Sequence, residues 1–519
     1  MPNSTDDDAL QFAKLFAVNP AEAFLTSAKS FSELQHNCLN QMARFWQSAL
    51  SVASPAEVPA ASRPADDKRF GSEAWRSLPG FDVMTRSYLD YCGVLLGSIE
   101  AVPVDEKAKG QIRFVLRQLT DAISPSNVFA TNPEAMQLAL ETGGQSVADG
   151  INLFLQDLAK GRISMSDETA FEVGRNLAVT PGAVIFENDL IQVIQYAPST
   201  ARVCAIPLVI IPPAINKFYI LDLQPQNSLV RYTVEQGHTV FLVSWRNVTP
   251  ELGHLSWDDY LDYGVIRAIE VALAVSGAER VSTLDFSDTG EIGLLITEQS
   301  MVAREAAIGR SGLLQGKELA LVFSSLRAND LIWPYVVNSY LKGKAPPAFD
   351  MLYWNSDSTN LPGPMFCWYV RNTYLENNFK QPLKTIQCDL PLDFSSVTVP
   401  AYLYASRDDH IVPWRSAYVS TRVLGGETTF VLGASGHIAG VINAPANQKR
   451  NFWSNGTAGA DAENWLSSAS SVPGSWWPHW AEWLKSWGGL EVVARETLGN
   501  DQCQPIEPAP GRYVRQSAL

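Results

Sequence analysis

The residues best placed for chemistry are a carboxylate pair, Asp408-Asp409, and a histidine, His437, which lies 28 positions beyond Asp409. A carboxylate beside an imidazole orients the ring and stabilises its cation. The ring can then take a proton from a nucleophile and return it to a leaving group. Both groups follow short apolar runs. Tyr402 to Ala405 leads into Asp408-Asp409-His410, and Phe430 to Leu432 leads into Gly-Ala-Ser-Gly-His437, with an amphipathic segment between them. The pattern is therefore strand, acid, helix, strand, histidine, and the 28-residue interval suits one strand-to-strand crossover. Periodicity does not choose between Asp408 and Asp409, and His410 lies near the same strand ends.

That order is how an α/β-hydrolase presents the last two members of its triad, so a nucleophile is required upstream. It should stand on a sharp elbow, G-x-[Ser or Cys]-x-G, between a strand and a helix. No such motif occurs in the 519 residues. Between Gly277 and Gly290, where the elbow unit is expected, there is room for one short strand only. Ser282 and Ser287 fall closest to the gap but lack the flanking glycines that expose an elbow side chain. Cys204, Cys367 and Cys388 read as buried small apolar residues. The loop Pro212-Pro213-Ala214-Ile215-Asn216-Lys217 directly follows an apolar run, and Ala214 and Ile215 are the candidates for offering a backbone N–H to an oxyanion.

The elements that must position these groups follow from composition and pattern. With 46% hydrophobic and 18% charged residues, the chain can bury a large core. A net charge of −15 argues against nucleic acid as the main partner. Six cysteines without a CxxC pair, and no charged-then-apolar leader, point to a reduced, cytoplasmic protein without a disulfide scaffold or a metal site. The longest apolar run, Val203 to Ala214, is too short to span a membrane and reads as a buried strand.

Residues 1–50 carry apolar positions at helical spacing (Phe31, Leu34, Cys38, Met42, Phe45, Trp46), and 51–67 form an Ala/Pro/Ser linker. Residues 68–190 form a mainly helical domain, with Asn132-Pro133 placed to start a helix. Strand-like alternation sets in toward its end. From 191 to 519 strands and helices alternate: Pro207 to Ile211, Ser228 to Gln236, Thr239 to Trp245, Trp257 to Val275. The expected fold is α/β, an α/β-hydrolase-like, mostly parallel sheet that is one βα unit short, preceded by a helical N-terminal domain. Trp476, Trp477, Trp480, Trp483 and Trp487 follow helical spacing and read as core packing.

Several long stretches make a family resemblance specific. They are FEVGRNLAVTPGAVIFEN (171–188), PPAINKFYILDLQPQNSLVRYTVEQGHTVFLVSWRN (212–247), LDFSDTG (284–290), ANDLIWPYVVNSYLKG (328–343), WNSDSTNLPGP (354–364), SRDDHIVPW (406–414), GASGHIAGVINAPANQKRNFW (433–453) and EPAPGRYV (507–514). Over nearly its whole length the chain resembles a class I polyhydroxyalkanoate synthase. The resemblance implies an acyltransferase that joins (R)-3-hydroxyacyl-CoA units into a polyester with release of CoA, without a cofactor. It further implies a homodimer at the surface of a cytoplasmic storage granule. His437 and Asp409 match the family's base and acid, and Asp222 falls at a family position of interest that also reads as a turn carboxylate. The family's nucleophilic Cys has no counterpart between Val281 and Leu284. The chain is therefore expected to be inactive as a polymerase. The alternative is a non-catalytic member that binds granules, acyl-CoA or an active synthase subunit.

Overall fold

The computed structural model describes residues 67–78, 80–285, 293, 296–459 and 461–518. The amphipathic stretch 1–50, nearly all of the 51–67 linker, and Ser287 lie outside the described residues. The chain divides into two compact units, Met1–Asp167 with Val322–Pro347, and Glu168–Leu321 with Ala348–Leu519.

In the first unit the main helices are α1 (Phe81–Gly97), α2 (Glu106–Ala122), α3 (Pro133–Glu141) and α4 (Gln145–Lys160). Asp105 caps α2 by accepting from Ala108 N at 2.8 Å, and Asn132 caps α3 by accepting from Ala135 N at 3.0 Å. The helix start foreseen at Asn132-Pro133 is thus present. Glu134 accepts hydrogen bonds from Ser72 Oγ and Trp75 Nε1 and pairs with Lys342 Nζ at 2.6 Å. Helix α4 leaves Ile151, Phe154, Leu155 and Leu158 exposed, a stripe at helical spacing.

The second unit begins earlier than the expected boundary near residue 190. Strands β1 (Gly182–Glu187) and β2 (Ile191–Tyr196) form an antiparallel hairpin, so a cut at 190 would separate two hydrogen-bonded partners. The run from Val203 to Ala214 is not one strand either. It comprises the short strand Arg202–Cys204 and then β3 (Leu208–Ile211), with Pro207 between them.

Strand β4 (Val240–Trp245) pairs in parallel with β3, and both are buried at every residue. Their side chains alternate between two cores. Leu208, Ile210, Val240 and Leu242 meet Val230 and Val234 of helix α5 (Leu229–Glu235). Val209, Ile211, Phe241 and Val243 meet Ala268, Val271, Ala272 and Val275 of helix α6 (Arg267–Ser276). A sheet covered on both faces requires such continuously apolar strands.

Strand β5 (Ser282–Asp285) pairs in parallel with β3, and Glu507–Pro508 forms β10 at the far edge, giving the order β10-β1-β2-β4-β3-β5. Among the described residues the sheet has no further strand. Strands β6 (Ala401–Ser406), β7 (Thr428–Gly433), β8 (Asn451–Ser454) and β9 (Ser470–Pro473) form a separate sheet in that order, with β6 and β7 parallel and helix α7 (Trp414–Val423) connecting them. Antiparallel pairs flank these parallel strands in both sheets. Val281 to Leu284 leads into the single strand β5, and among the described residues β5 pairs only with β3 and β6 only with β7.

Candidate active site

The acid and the histidine are brought together by β6 and β7. These strands run in register over six residue pairs from Ala401–Thr428 to Ser406–Gly433. The pairing continues past them through Arg407 N to Gly433 O (2.8 Å) and Asp408 N to Ser435 O (2.9 Å). The chain then turns, and Asp408 is exposed while Asp409 is half-buried. Asp409 Oδ2 lies 2.8 Å from His437 Nδ1, while its Oδ1 accepts from Ile411 N and Val412 N, each at 2.8 Å. Two backbone N–H groups on one oxygen fix the carboxylate, leaving the other to orient the imidazole. Of the two acids left open by the periodicity, Asp409 is the one within hydrogen-bonding distance of His437.

His437 opens the short helix α8 (His437–Val441). The residue two before it, Ser435, has φ 96°, a conformation an L residue rarely adopts, which turns the chain sharply off β7. Glycine is required at two nearby positions. A Cβ at Gly433 would collide with the Tyr404 hydroxyl, and one at Gly440 with Ser406 Oγ. Helix α9 (Trp477–Trp487) and the preceding Trp476 hold α8 from behind. Trp476 Nε1 donates to Gly440 O at 3.2 Å, and Trp477 Nε1 to Val441 O at 2.9 Å. Trp476, Trp477 and Trp480 are core residues, as their spacing suggests, whereas Trp483 is half-buried and Trp487 is exposed, contrary to that expectation; Trp476 and Trp477 also clamp the backbone that carries His437.

The candidate oxyanion loop leaves the C-terminal end of β3. The carbonyls of Ile215 and Ala214 accept from Thr359 Oγ1 at 2.7 and 3.3 Å. A planar trans peptide with its carbonyl held toward Thr359 directs the Ile215 N–H to the opposite side. Lys217 anchors the loop base through an ion pair with Asp357 Oδ1 at 2.7 Å, and Trp354 Nε1 donates to Lys217 O. Asp222 is placed differently. Fully buried, it accepts from Thr180 Oγ1 and Ser228 Oγ at 2.6 Å each, and burial raises its pKa against those bonds. Its partners are those two hydroxyls, not the Asp409–His437 pair, and its geometry is that of a turn carboxylate.

The register of β5 decides what could stand in for the nucleophile. Ser282 lies opposite Leu208, at the start of β3, and Asp285 opposite Ile211, where the oxyanion loop leaves. Ser282 is thus at the wrong end of its strand. Burial pushes the Cys204 and Cys92 thiols up and Cys367 to about 11, the reverse of what a nucleophile needs. Cys388 does not fit the buried reading: it is half-buried in a turn at φ 46°, with its pKa also raised by partial burial and the nearby Asp258.

Residues 66–233 match the family model described as the N-terminus of poly-beta-hydroxybutyrate polymerase, and residues 297–444 match the α/β hydrolase fold. A poly(3-hydroxyalkanoate) polymerase subunit of Cupriavidus necator is 45% identical over 94% of this chain and 88% of its own length. The chain belongs to the polyhydroxyalkanoate synthase family. Poly(3-hydroxyalkanoate) polymerases of Rhizobium etli and Methylorubrum extorquens, each 38% identical, match 87% and 96% of this chain and cover 77% and 89% of their own lengths. The domain of this synthase-family chain that bears Asp409 and His437 has the α/β-hydrolase fold. Among the described residues, no group of His, Cys, Asp and Glu could hold a metal ion, and no helix is long and apolar enough to cross a membrane.

Proposed function

We propose that this chain is a catalytically silent polyhydroxyalkanoate synthase, retaining the acid, the base and the oxyanion loop but without the thiol that carries the growing polyester. In the complete reaction a cysteine attacks the thioester carbonyl of an (R)-3-hydroxyacyl-CoA, CoA leaves, and the acyl group passes to a hydroxyl of the chain end. His437, oriented by Asp409, has the geometry to move the protons of both steps. The observation that carries the reading is β5. The place beside β3 where an elbow strand belongs is filled by Ser282–Asp285, whose last two residues open the LDFSDTG stretch.

The alignment with the Cupriavidus relative supports it. That alignment runs over 525 positions, while 94% of 519 residues is about 488, so about 37 positions are empty in this chain. This is the size of a βα unit, about 30 residues or more. Without the nucleophile a triad enzyme loses on the order of 10⁶ in rate. The oxyanion N–H of the residue after it, worth about 2.7–4 kcal/mol, goes as well.

In this reading the partners are acyl-CoA, an active synthase subunit or a second copy in a homodimer, and the surface of a cytoplasmic polyester granule; no cofactor is needed. The granule contact is supported by the apolar stripe on α4 and by Leu119 and Ile123 at the end of α2, all exposed. The test is thiol release from (R)-3-hydroxybutyryl-CoA together with co-sedimentation with polyester granules. The reading expects no release above background and binding to granules. Release at a rate comparable to that of the active relatives would overturn it.

A further inference from the structure

The strand that leads into Asp409 also places a side chain against the helix that starts with His437. Strand β6 packs on α8, and in its register with β7 Tyr404 stands opposite Val431 and Ser406 opposite Gly433. The Tyr404 ring reaches Gly433 on the diagonal, as an aromatic residue can between neighbouring strands. A Cβ at Gly433 would overlap the Tyr404 hydroxyl. One at Gly440, in α8, would overlap Ser406 Oγ and stand 3.0 Å from that same phenol oxygen. Two glycines from two different elements thus make one niche, and the hydroxyls of Tyr404 and Ser406 occupy it.

The niche is braced from both ends. Ser406, itself buried, donates from Oγ to Tyr404 Oη at 3.3 Å, and the Tyr404 ring stacks on Trp476. On α8 the Gly440 N–H donates to Gly436 O at 2.8 Å, and its carbonyl accepts from Trp476 Nε1. The charged groups that act on the phenol are Asp409, on the turn after β6, and Arg450, just before β8, whose guanidinium donates to Ala439 O of α8. Burial pushes the phenol's pKa well up, against the Ser406 hydrogen bond and the Arg450 charge, and the Asp409 charge adds to the rise. Tyr404 is therefore a neutral group that acts by where its oxygen sits.

We propose that Tyr404 is a positioning residue for the acid and the base: its hydroxyl, braced by Ser406, sets the distance between α8 and the strand that leads into Asp409, and so holds His437 Nδ1 at 2.8 Å from Asp409 Oδ2. The Trp476 bond holds Gly440 toward the core, and the phenol oxygen limits how closely that residue approaches β6. Without the oxygen, α8 can settle onto β6 and carry His437 off its alignment with the carboxylate. An imidazolium owes part of its stability to a carboxylate at this distance, so a looser pair lowers the pKa of the ring.

The test is a pH titration of His437 by NMR in the full chain, with histidine isotope-labelled at Cε1. The chain has six histidines, and the His437 signal is the one lost in His437→Gln. Tyr404→Phe removes the hydroxyl and keeps the ring. Tyr402→Phe is the control, because it loses a bond to His479 Nδ1 at 2.9 Å from the same strand, away from the niche. The expected result is a His437 pKa lower by about half a unit or more in Tyr404→Phe and unchanged in Tyr402→Phe. Ser406→Ala, which removes the donor to the phenol, should move it in the same direction as Tyr404→Phe. An unchanged or raised value in folded Tyr404→Phe, or an equal fall in Tyr402→Phe, would overturn the proposal. Where Tyr404→Phe does not fold, an unchanged value in Ser406→Ala would do the same. No substrate is used, so turnover by the chain does not bear on the outcome.

Discussion

Trp476 and Gly440 are joined by a hydrogen bond from the indole Nε1 to the glycine carbonyl at 3.2 Å, and the same indole stacks on Tyr404 of β6 at 4.3 Å. One buried side chain therefore ties the strand that delivers Asp409 to the helix that starts with His437. Trp476→Phe keeps most of the stack and loses the donor, so it should cost about 1–3 kcal/mol, the penalty of an unpaired buried carbonyl. Trp476→Ala should cost about 3–5 kcal/mol. Urea unfolding of the two variants, with equal slopes, measures the difference. A cost below about 0.5 kcal/mol for both would show that the indole holds nothing.

Asp409 is as much a structural acceptor as a partner of the histidine. Asp409→Ala strands the N–H groups of Ile411 and Val412 and should lower stability by about 1–3 kcal/mol. Asp409→Asn keeps one carbonyl oxygen and should lie nearer the parent. Thermal unfolding of the two variants side by side checks this, and the opposite ranking would contradict the geometry.

How much of this was legible in the sequence varies by element. The Asp409–His437 pair could be read because each follows an apolar strand run, but the choice of Asp409 over Asp408 depends on a turn that begins where strand alternation ends. The clamp by Trp476 and Trp477 was hidden, since an indole that packs and one that also donates have the same spacing. The unit boundary was displaced because the β1–β2 hairpin alternates like an independent start, and nothing local marks its return against Glu507–Pro508. Residues 322–347 join the N-terminal unit through contacts such as Tyr340 Oη to Asp157 Oδ2 at 2.7 Å, across 183 positions. Periodicity cannot report contacts of that range.

His238 gives the fold an acid limit. It is buried, and desolvation, with the Lys485 charge adding, holds its pKa down to about 4 from an ordinary 6.5. The unfolded chain therefore takes up a proton that the folded chain refuses. Stability conferred by the neutral ring is complete above pH 6.5 and falls as the pH drops toward 4, by up to about 2–3 kcal/mol. Denaturant midpoints between pH 7 and pH 4 should fall, and His238→Gln should flatten that dependence. An unchanged slope in the variant would place the acid sensitivity elsewhere.

The apolar stripe on α4 makes a surface prediction. Leu155 and Leu158 are exposed, so Leu155→Glu with Leu158→Glu should leave unfolding within about 0.5 kcal/mol of the parent while reducing granule co-sedimentation severalfold. Retained binding in the double variant would remove α4 from the granule contact.

Asp409 and His437 are proposed to stand here without a nucleophile to activate. The most direct measurement is thiol release from (R)-3-hydroxybutyryl-CoA by the chain as it stands, beside a version in which a strand, a G-x-Cys-x-G elbow and its helix are inserted between Val281 and Leu284. Background release is expected from the first, and from the second CoA release that is abolished by His437→Ala. Release by the uninterrupted native sequence, lost on His437→Ala, would contradict it.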